Sequence, residues 1–197
     1  MNKKIHIIGS GFSALSASCY LAKQGYNVTV LEKNDTLGGR ARQYKKDGFT
    51  FDIGPSWYWM PDVFERFFAD FGKKPSDYYT LDKLNPGYEV YFGENSSLKI
   101  SENLEEIYKM FEQEEEGSAK HLKTFLDSAK SNYETAITDL VYKPGISPLE
   151  LINTTTIARV SQFFSTVRKQ VRKNIKSSKL IKILEFPVLF LGAKPDN

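Results

Sequence analysis

The stretch Lys4-Ile-His-Ile-Ile-Gly-Ser-Gly-Phe-Ser-Ala14 decides the fold. Lys4–Ile8 is a short, β-branched run that stops at a glycine, the pattern of a buried parallel strand. Gly9 permits a sharp turn, and Gly11 lacks a Cβ, so the main chain there can come close to a diphosphate. Position 14 must be small for a helix to pack on the sheet, and Ala14 satisfies that. The spacing predicts a helix over Phe12–Lys23, with Leu15, Cys19 and Ala22 on one face and Gly25 just past its end. Its first amides, with Phe12 and Ser13 in the opening turn, have no helical partner and favour an anion. Asn27-Val-Thr-Val-Leu-Glu32 reads as a second strand whose terminal carboxylate can accept hydrogen bonds from ribose hydroxyls. The fold class is therefore α/β, opening on a Rossmann-like FAD/NAD(P)-binding βαβ unit. The alternative is a tight turn whose glycines serve packing only, leaving Glu32 an ordinary strand end.

A second glycine pair, Gly38-Gly39-Arg40, follows closely. Consecutive glycines admit close approach of a ligand to the backbone. Arg40 offers planar donors suited to phosphate oxygens. A plain NAD-binding unit does not need this element, so the pair favours FAD. Its competing reading is a surface turn with a solvated arginine.

Composition bounds the rest. The 197 residues are long enough to bury a sizeable core, and the balance of residue types is that of a globular protein. The single cysteine, Cys19, cannot form an internal disulfide and is expected to be a small core residue in a reducing cytoplasm. Lys3 and Lys4 before an apolar run imitate a signal peptide, but the glycine turn interrupts that run too early. The sequence contains no run of apolar residues long enough to span a bilayer and no zinc-like cysteine/histidine cluster, so no metal is expected. His6 and His121 are isolated and expected to be structural.

Further along, Gln43–Lys45 and Phe49–Asp52 are expected to pair as a hairpin. A helix should run from Met60-Pro61-Asp62 to Phe71, with Gly72 ending it. Its Val63, Phe64, Phe67, Phe68 and Phe71 fall on one face, which fits core packing or, less well, part of an apolar tunnel. Tyr88–Phe92 and Ser97–Ile100 form a second expected hairpin. Ser101-Glu-Asn-Leu-Glu105 has a helix-capping pattern, the acids Glu112–Glu116 read as a solvated helix end, and a longer helix should cover Ser118–Leu140. Residues 151–184 hold eight Lys/Arg and no Asp/Glu, so a chain of net charge +3 carries −5 elsewhere. Val160, Phe164, Val167, Val171 and Ile175 share one helical face there. Arg168, Lys169, Arg172, Lys173 and Lys176 share the other. That pattern suits a helix lying on anionic lipid, and equally a surface helix packed on its own core. No nucleic-acid motif accompanies the charge, so no nucleic-acid partner is expected.

These motifs, with Leu31–Pro61 (LEKNDTLGGRARQYKKDGFTFDIGPSWYWMP), resemble the phytoene desaturase family of carotenoid biosynthesis, within the wider flavin amine oxidase and protoporphyrinogen oxidase group. The resemblance implies noncovalent FAD. The turn Gly9, Gly11, Phe12, Ser13 and Ala14 would hold its diphosphate. Glu32 would hold the adenosine ribose, with Lys33 on the adenine side. Gly39 and Arg40 would meet the phosphate and ribose region, while Gly54, Pro55 and Ser56 would lie near the flavin. Ala14 departs from the family, which more often has glycine there. The implied reaction introduces double bonds into a long apolar isoprenoid such as phytoene, with a cytoplasmic or peripheral membrane location and an anionic membrane surface as partner. Family enzymes are more than twice as long, so the resemblance reads this chain as an N-terminal fragment that lacks the C-terminal portion of the enzyme. On this reading residues 1–56 begin the FAD-binding domain, and 57–197 form an incomplete, mainly helical α+β substrate region. No catalytic residue is assigned. Another flavin oxidase of the amine-oxidase type, or a noncatalytic dinucleotide-binding or lipid-surface module, are the alternatives.

Overall fold

The computed structural model describes residues 3–54, 57–138, 140–147 and 165–194. They fall into two compact units, Met1–Leu81 and Asp82–Asn197. Residues 57–81 thus share a unit with the βαβ segment.

In the first unit, β1 (Lys4–Ile8) and β2 (Asn27–Leu31) pair in parallel, Lys4 opposite Asn27 through to Ile8 opposite Leu31. The crossover is helix α1 (Phe12–Lys23). It ends as a Schellman turn: Gly25 takes φ +86°, its N–H donates to Ala22 O, and Tyr26 N–H donates to Leu21 O. The hairpin β3 (Gln43–Lys46) and β4 (Phe49–Asp52) follows, then α2 (Pro61–Asp70), which opens on a proline at its first position.

The aromatic face of α2 packs on α1. Phe64 meets Phe12 edge-on at 6.0 Å, Phe67 and Phe71 meet Tyr20 at 5.8 and 5.1 Å, and the Tyr20 hydroxyl donates to Asp70 Oδ2. Lys23 reaches the Asp70 carbonyl and lies over the Phe71 ring. These contacts fit the core-packing reading of the stripe, its residues being half-buried. Cys19, however, is exposed rather than in a core. The half-buried positions of α1 are Ala14, Leu15, Ser16, Ser18 and Leu21, so the covered face is rotated away from Cys19 and Ala22. The first unit has Ser10 as its one fully buried described residue, and Ile8 and Leu31 at the sheet's carboxyl end are 89% and 52% exposed. Parallel strands ordinarily lie buried within larger sheets, which explains why two of them leave apolar residues uncovered.

The second unit holds the hydrophobic core. The antiparallel hairpin β5 (Tyr88–Tyr91) and β6 (Ser97–Ile100) leads into α3 (Leu104–Glu114) and α4 (Ser118–Thr138). Among the residues described after these come α5 (Val167–Arg172) and α6 (Ser178–Glu185), followed by a 3₁₀ segment, Phe186–Leu191. Ile100, Phe111, Leu122, Val171, Ile175 and Leu180 pack together at the centre. Burying each such side chain contributes roughly 1.5–3 kcal/mol.

Three sequence expectations are corrected here. The α3 N-cap is Asn103, whose Oδ1 accepts from Glu105 N–H at 2.9 Å; Ser101 instead accepts from Asn103 N–H and donates to Glu106. The acids at the end of α3 are only partly a solvated run: Glu112 and Glu116 are exposed, Glu114 and Glu115 are half-buried, and three of the four make structural bonds. Glu112 accepts from Gly117 and Ala119 N–H, Glu114 pairs with Lys179, and Glu115 accepts from the N–H groups of Lys176 and Ser177. These bonds hold Glu112 below the usual carboxylate range. Finally, the basic segment is not one helix through Lys176. α5 ends at Arg172, Glu115 takes the amides of Lys176 and Ser177, and Ser177 caps α6. Val160 and Phe164 lie outside the described residues.

Two of the basic side chains pair with an acid of the same unit. Arg168 and Arg172 both approach Oε1 of buried Glu185, at 3.6 and 3.1 Å. A carboxylate taken from water needs such partners, and its loss would leave two arginine charges facing one another. Glu185→Ala is expected to lower the stability of the chain by about 1–3 kcal/mol, below the figure for fully buried pairs because both arginines are partly solvated. Urea denaturation of the two proteins measures it.

Candidate dinucleotide site

Three sequence motifs meet at Ser10. This residue is 1% exposed, between the two glycines that turn β1 into α1. Its N–H donates to Glu32 Oε2 at 2.8 Å and its hydroxyl donates to the same oxygen at 2.6 Å. Its carbonyl accepts from Gly38 N–H at 3.0 Å. The glycine loop, the acid ending β2 and the second glycine pair are thus tied together through one residue. Gly9 N–H, donating to the Leu31 carbonyl, joins the same loop to β2.

The other Glu32 oxygen is used too. Oε1 accepts from Asn34 N–H at 3.0 Å and from Asn34 Nδ2 at 2.6 Å. Four donors on one carboxylate, first among them the Ser10 hydroxyl, hold its pKa down to about 2 from an ordinary 4.5.

The amino end of α1 is open. Gly11 is its N-cap, no side chain caps it, and its first turn has no acid. The first helical bond is Leu15 N–H to the Gly11 carbonyl, so the amides of Phe12, Ser13 and Ala14 precede it and are directed out of the helix. The second glycine pair sits against this loop: a Cβ on Gly39, whose φ is +60°, would lie 3.1 Å from Gly11 Cα. Gly54, with φ +108°, brings the end of β4 so near that a Cβ would meet the Arg40 carbonyl at 2.2 Å. Glycine is thus required at both positions. Arg42 Nη1 donates to the Gly39 carbonyl, whereas Arg40 is exposed. Lys33 is exposed beside Glu32, and an open groove lined by Lys33, Asn34, Leu37, Arg42 and Tyr44 runs along that turn.

Of the sequence-derived site residues, Gly9, Gly11, Phe12, Ser13, Ala14, Glu32, Gly39, Arg40 and Gly54 come from segments joined by these contacts, and Lys33 borders the groove. Pro55 and Ser56 lie outside the described residues. Sequence reasoning missed Ser10 and Asn34, and the signal was present: small polar donors beside the glycines and beside the acid. A groove of about 460 Å³ in the second unit, between α4 and α5, contains none of the candidate residues. Among the described residues no helix is long and apolar enough to cross a membrane.

Residues 7–72 match the NAD(P)-binding Rossmann-like domain family, which covers the whole loop–acid–loop arrangement. The site therefore belongs to a dinucleotide-binding fold. Over nearly its entire length the chain is homologous to carotenoid desaturases. It is 40% identical over 194 residues to a carotenoid 3,4-desaturase of Haloarcula japonica, and 34% identical over 194 residues to a 4,4'-diapophytoene desaturase (4,4'-diaponeurosporene-forming) of Staphylococcus aureus. These alignments cover 97% and 98% of this chain but 39% of each relative, so the chain spans about two fifths of their length. A solved fatty acid isomerase from P. acnes shares 27% identity over 37% of this chain and 18% of its own, with a TM-score of 0.30, too low to carry an argument.

Since Glu32 titrates lower when folded than when unfolded, its ionised form stabilises the fold fully above about pH 4.5, and that contribution is lost as pH falls towards about 2. Glu32→Gln is expected to lower the melting temperature at neutral pH, and the gap from the parent should close across this acid window. Melting curves from pH 7 downwards measure it.

Proposed function

We propose that this chain supplies the FAD-binding amino-terminal part of a carotenoid desaturase acting on CH–CH bonds of a long apolar isoprenoid. The observation that carries the reading is the pairing of alignment along nearly the whole chain with the preformed Ser10–Glu32–Gly38 junction. The residues present fit the cofactor. The free amides of Phe12, Ser13 and Ala14 at the end of a helix suit a diphosphate, with Gly9 and Gly11 keeping the approach clear of side chains. Glu32 suits the ribose hydroxyls and Lys33 the adenine side. Gly39 and Arg40 suit the phosphate and ribose region, and Gly54, Pro55 and Ser56 the flavin end. FAD is favoured over a nicotinamide cofactor by the second glycine pair, which seats closely on Gly11 and is followed directly by Arg40. Residues 1–56 then begin the FAD domain and 57–197 the substrate region.

FAD, when bound, supplies the two-electron oxidant for desaturation. The chain's own task is to orient that cofactor through main-chain amides and Glu32, and to keep apolar surface beside it. Titrating the purified chain with FAD and with NADH tests this. Uptake of FAD in preference is expected, with about tenfold weaker retention by Arg40→Ala on the magnitude of charge-assisted phosphate contacts. Preference for nicotinamide, or uptake of neither, would overturn the assignment.

The membrane surface is the second part of the proposal. Leu189 and Phe190 are 62% and 53% exposed on the 3₁₀ segment after α6, and Lys173, Lys176, Lys182 and Lys194 are exposed in the same unit. Apolar residues with flanking cations suit insertion at an anionic interface. Arg168 and Arg172 are set aside, because both pair with Glu185. Replacing Lys173, Lys176 and Lys182 by glutamate is expected to lower sedimentation with phosphatidylserine vesicles while leaving phosphatidylcholine vesicles unaffected. Equal sedimentation with the anionic vesicles would remove the membrane claim.

A further inference from the structure

The Glu32 carboxylate is held differently on its two sides. On the inner side, Oε2 takes both donors of Ser10, whose side chain is out of contact with water. On the outer side, Oε1 takes the main-chain N–H and the side-chain amide of Asn34, an exposed residue. A carboxylate has about four acceptor directions, and all four are filled here. A ribose hydroxyl can therefore reach Glu32 only by displacing one donor. The Ser10 hydroxyl is buried, so turning it away from Glu32 leaves it without water to replace the lost bond. The Asn34 side-chain amide is free to turn into solvent.

We infer that Ser10 is a positioning residue that fixes Glu32 for the ligand, and that the Asn34 side chain is a place-holder occupying the ribose hydroxyl position until a nucleotide displaces it. This deepens the dinucleotide reading and rests on it. The two roles have opposite signs. Loss of the Ser10 hydroxyl frees the carboxylate to rotate and removes the largest cause of its low pKa. Loss of the Asn34 amide removes a competitor and leaves the main-chain N–H in place. The other titratable side chains on the surrounding segments are Lys4 and His6 on β1, Cys19, Tyr20 and Lys23 on α1, Lys33 and Asp35 on the turn, and Arg40 and Arg42 after the second glycine pair. None of them is among the groups that shift Glu32, which answers to the neutral donors Ser10 and Asn34 and to its partial burial.

The test is calorimetric titration of the full chain with ADP and with 2′-deoxy-ADP, for the parent, Ser10→Ala and Asn34→Ala, at several pH values from 4 to 7. Ser10→Ala is expected to bind ADP about tenfold more weakly than the parent at pH 7, the order expected for a bond to a charged group. Its binding should also fall off further towards pH 4 than the parent's, the ADP phosphate's own titration being common to both. Asn34→Ala is expected to bind ADP at least as tightly as the parent, and to retain the preference for ADP over the 2′-deoxy form. Asn34 is exposed, so its variant keeps the test open should Ser10→Ala fold poorly, which a melting curve reveals. Weaker binding by Asn34→Ala overturns the place-holder. A Ser10→Ala affinity and pH profile equal to the parent's overturn the positioning role. Failure of the parent and both variants to bind ADP overturns the nucleotide reading itself.

Discussion

The two bonds from Ser10 to one oxygen of Glu32 hold the first unit's functional end together. Without them the glycine loop would be tied to the second strand through the Gly9 amide alone. With them, a short charge-assisted contact sets the loop, orients the acid and leaves the Ser10 carbonyl aimed at Gly38. The second glycine pair can then seat against Gly11, and β4 can close on the Arg40 carbonyl through Gly54. Each of these contacts is made at a residue with little or no side chain. The construction places main-chain amides, rather than side chains, where an anion would bind.

The two units are stabilised by different means. The second has a closed apolar centre around Phe111, Leu122 and Leu180, fastened by acids that accept main-chain amides and by the shared Glu185. The first relies on aromatic packing between α1 and α2 and on the polar junction at Ser10, with its strand ends uncovered. A parallel pair of strands gains most of its stability from neighbours on both faces. Ile8 and Leu31 are the apolar residues left exposed at the end of this pair.

The basic segment illustrates how charge patterning misleads when read without partners. Five cations at helical spacing suggested one continuous face. Two of them close on Glu185, and the helix stops because Glu115 takes the amides beyond it. Glu185 lies 13 positions beyond Arg172, whereas Glu115 and Ser177 are 62 positions apart. What is left for an outside partner is a smaller set of exposed lysines in the same unit as the exposed Leu189 and Phe190.

The sequence alone determined the βαβ opening, because period, glycine position and helix stop are local properties: Lys4–Ile8, Phe12–Lys23 and the Gly25 turn are all where local spacing puts them. It also determined both hairpins and the aromatic face of α2, for the same reason. Only the tertiary structure decided which side of α1 is covered, where α5 ends, and that Ser10 and Asn34 complete the acid's surroundings. Those outcomes depend on donors and acceptors brought together from distant parts of the chain, and no local periodicity encodes a hydrogen-bond partner.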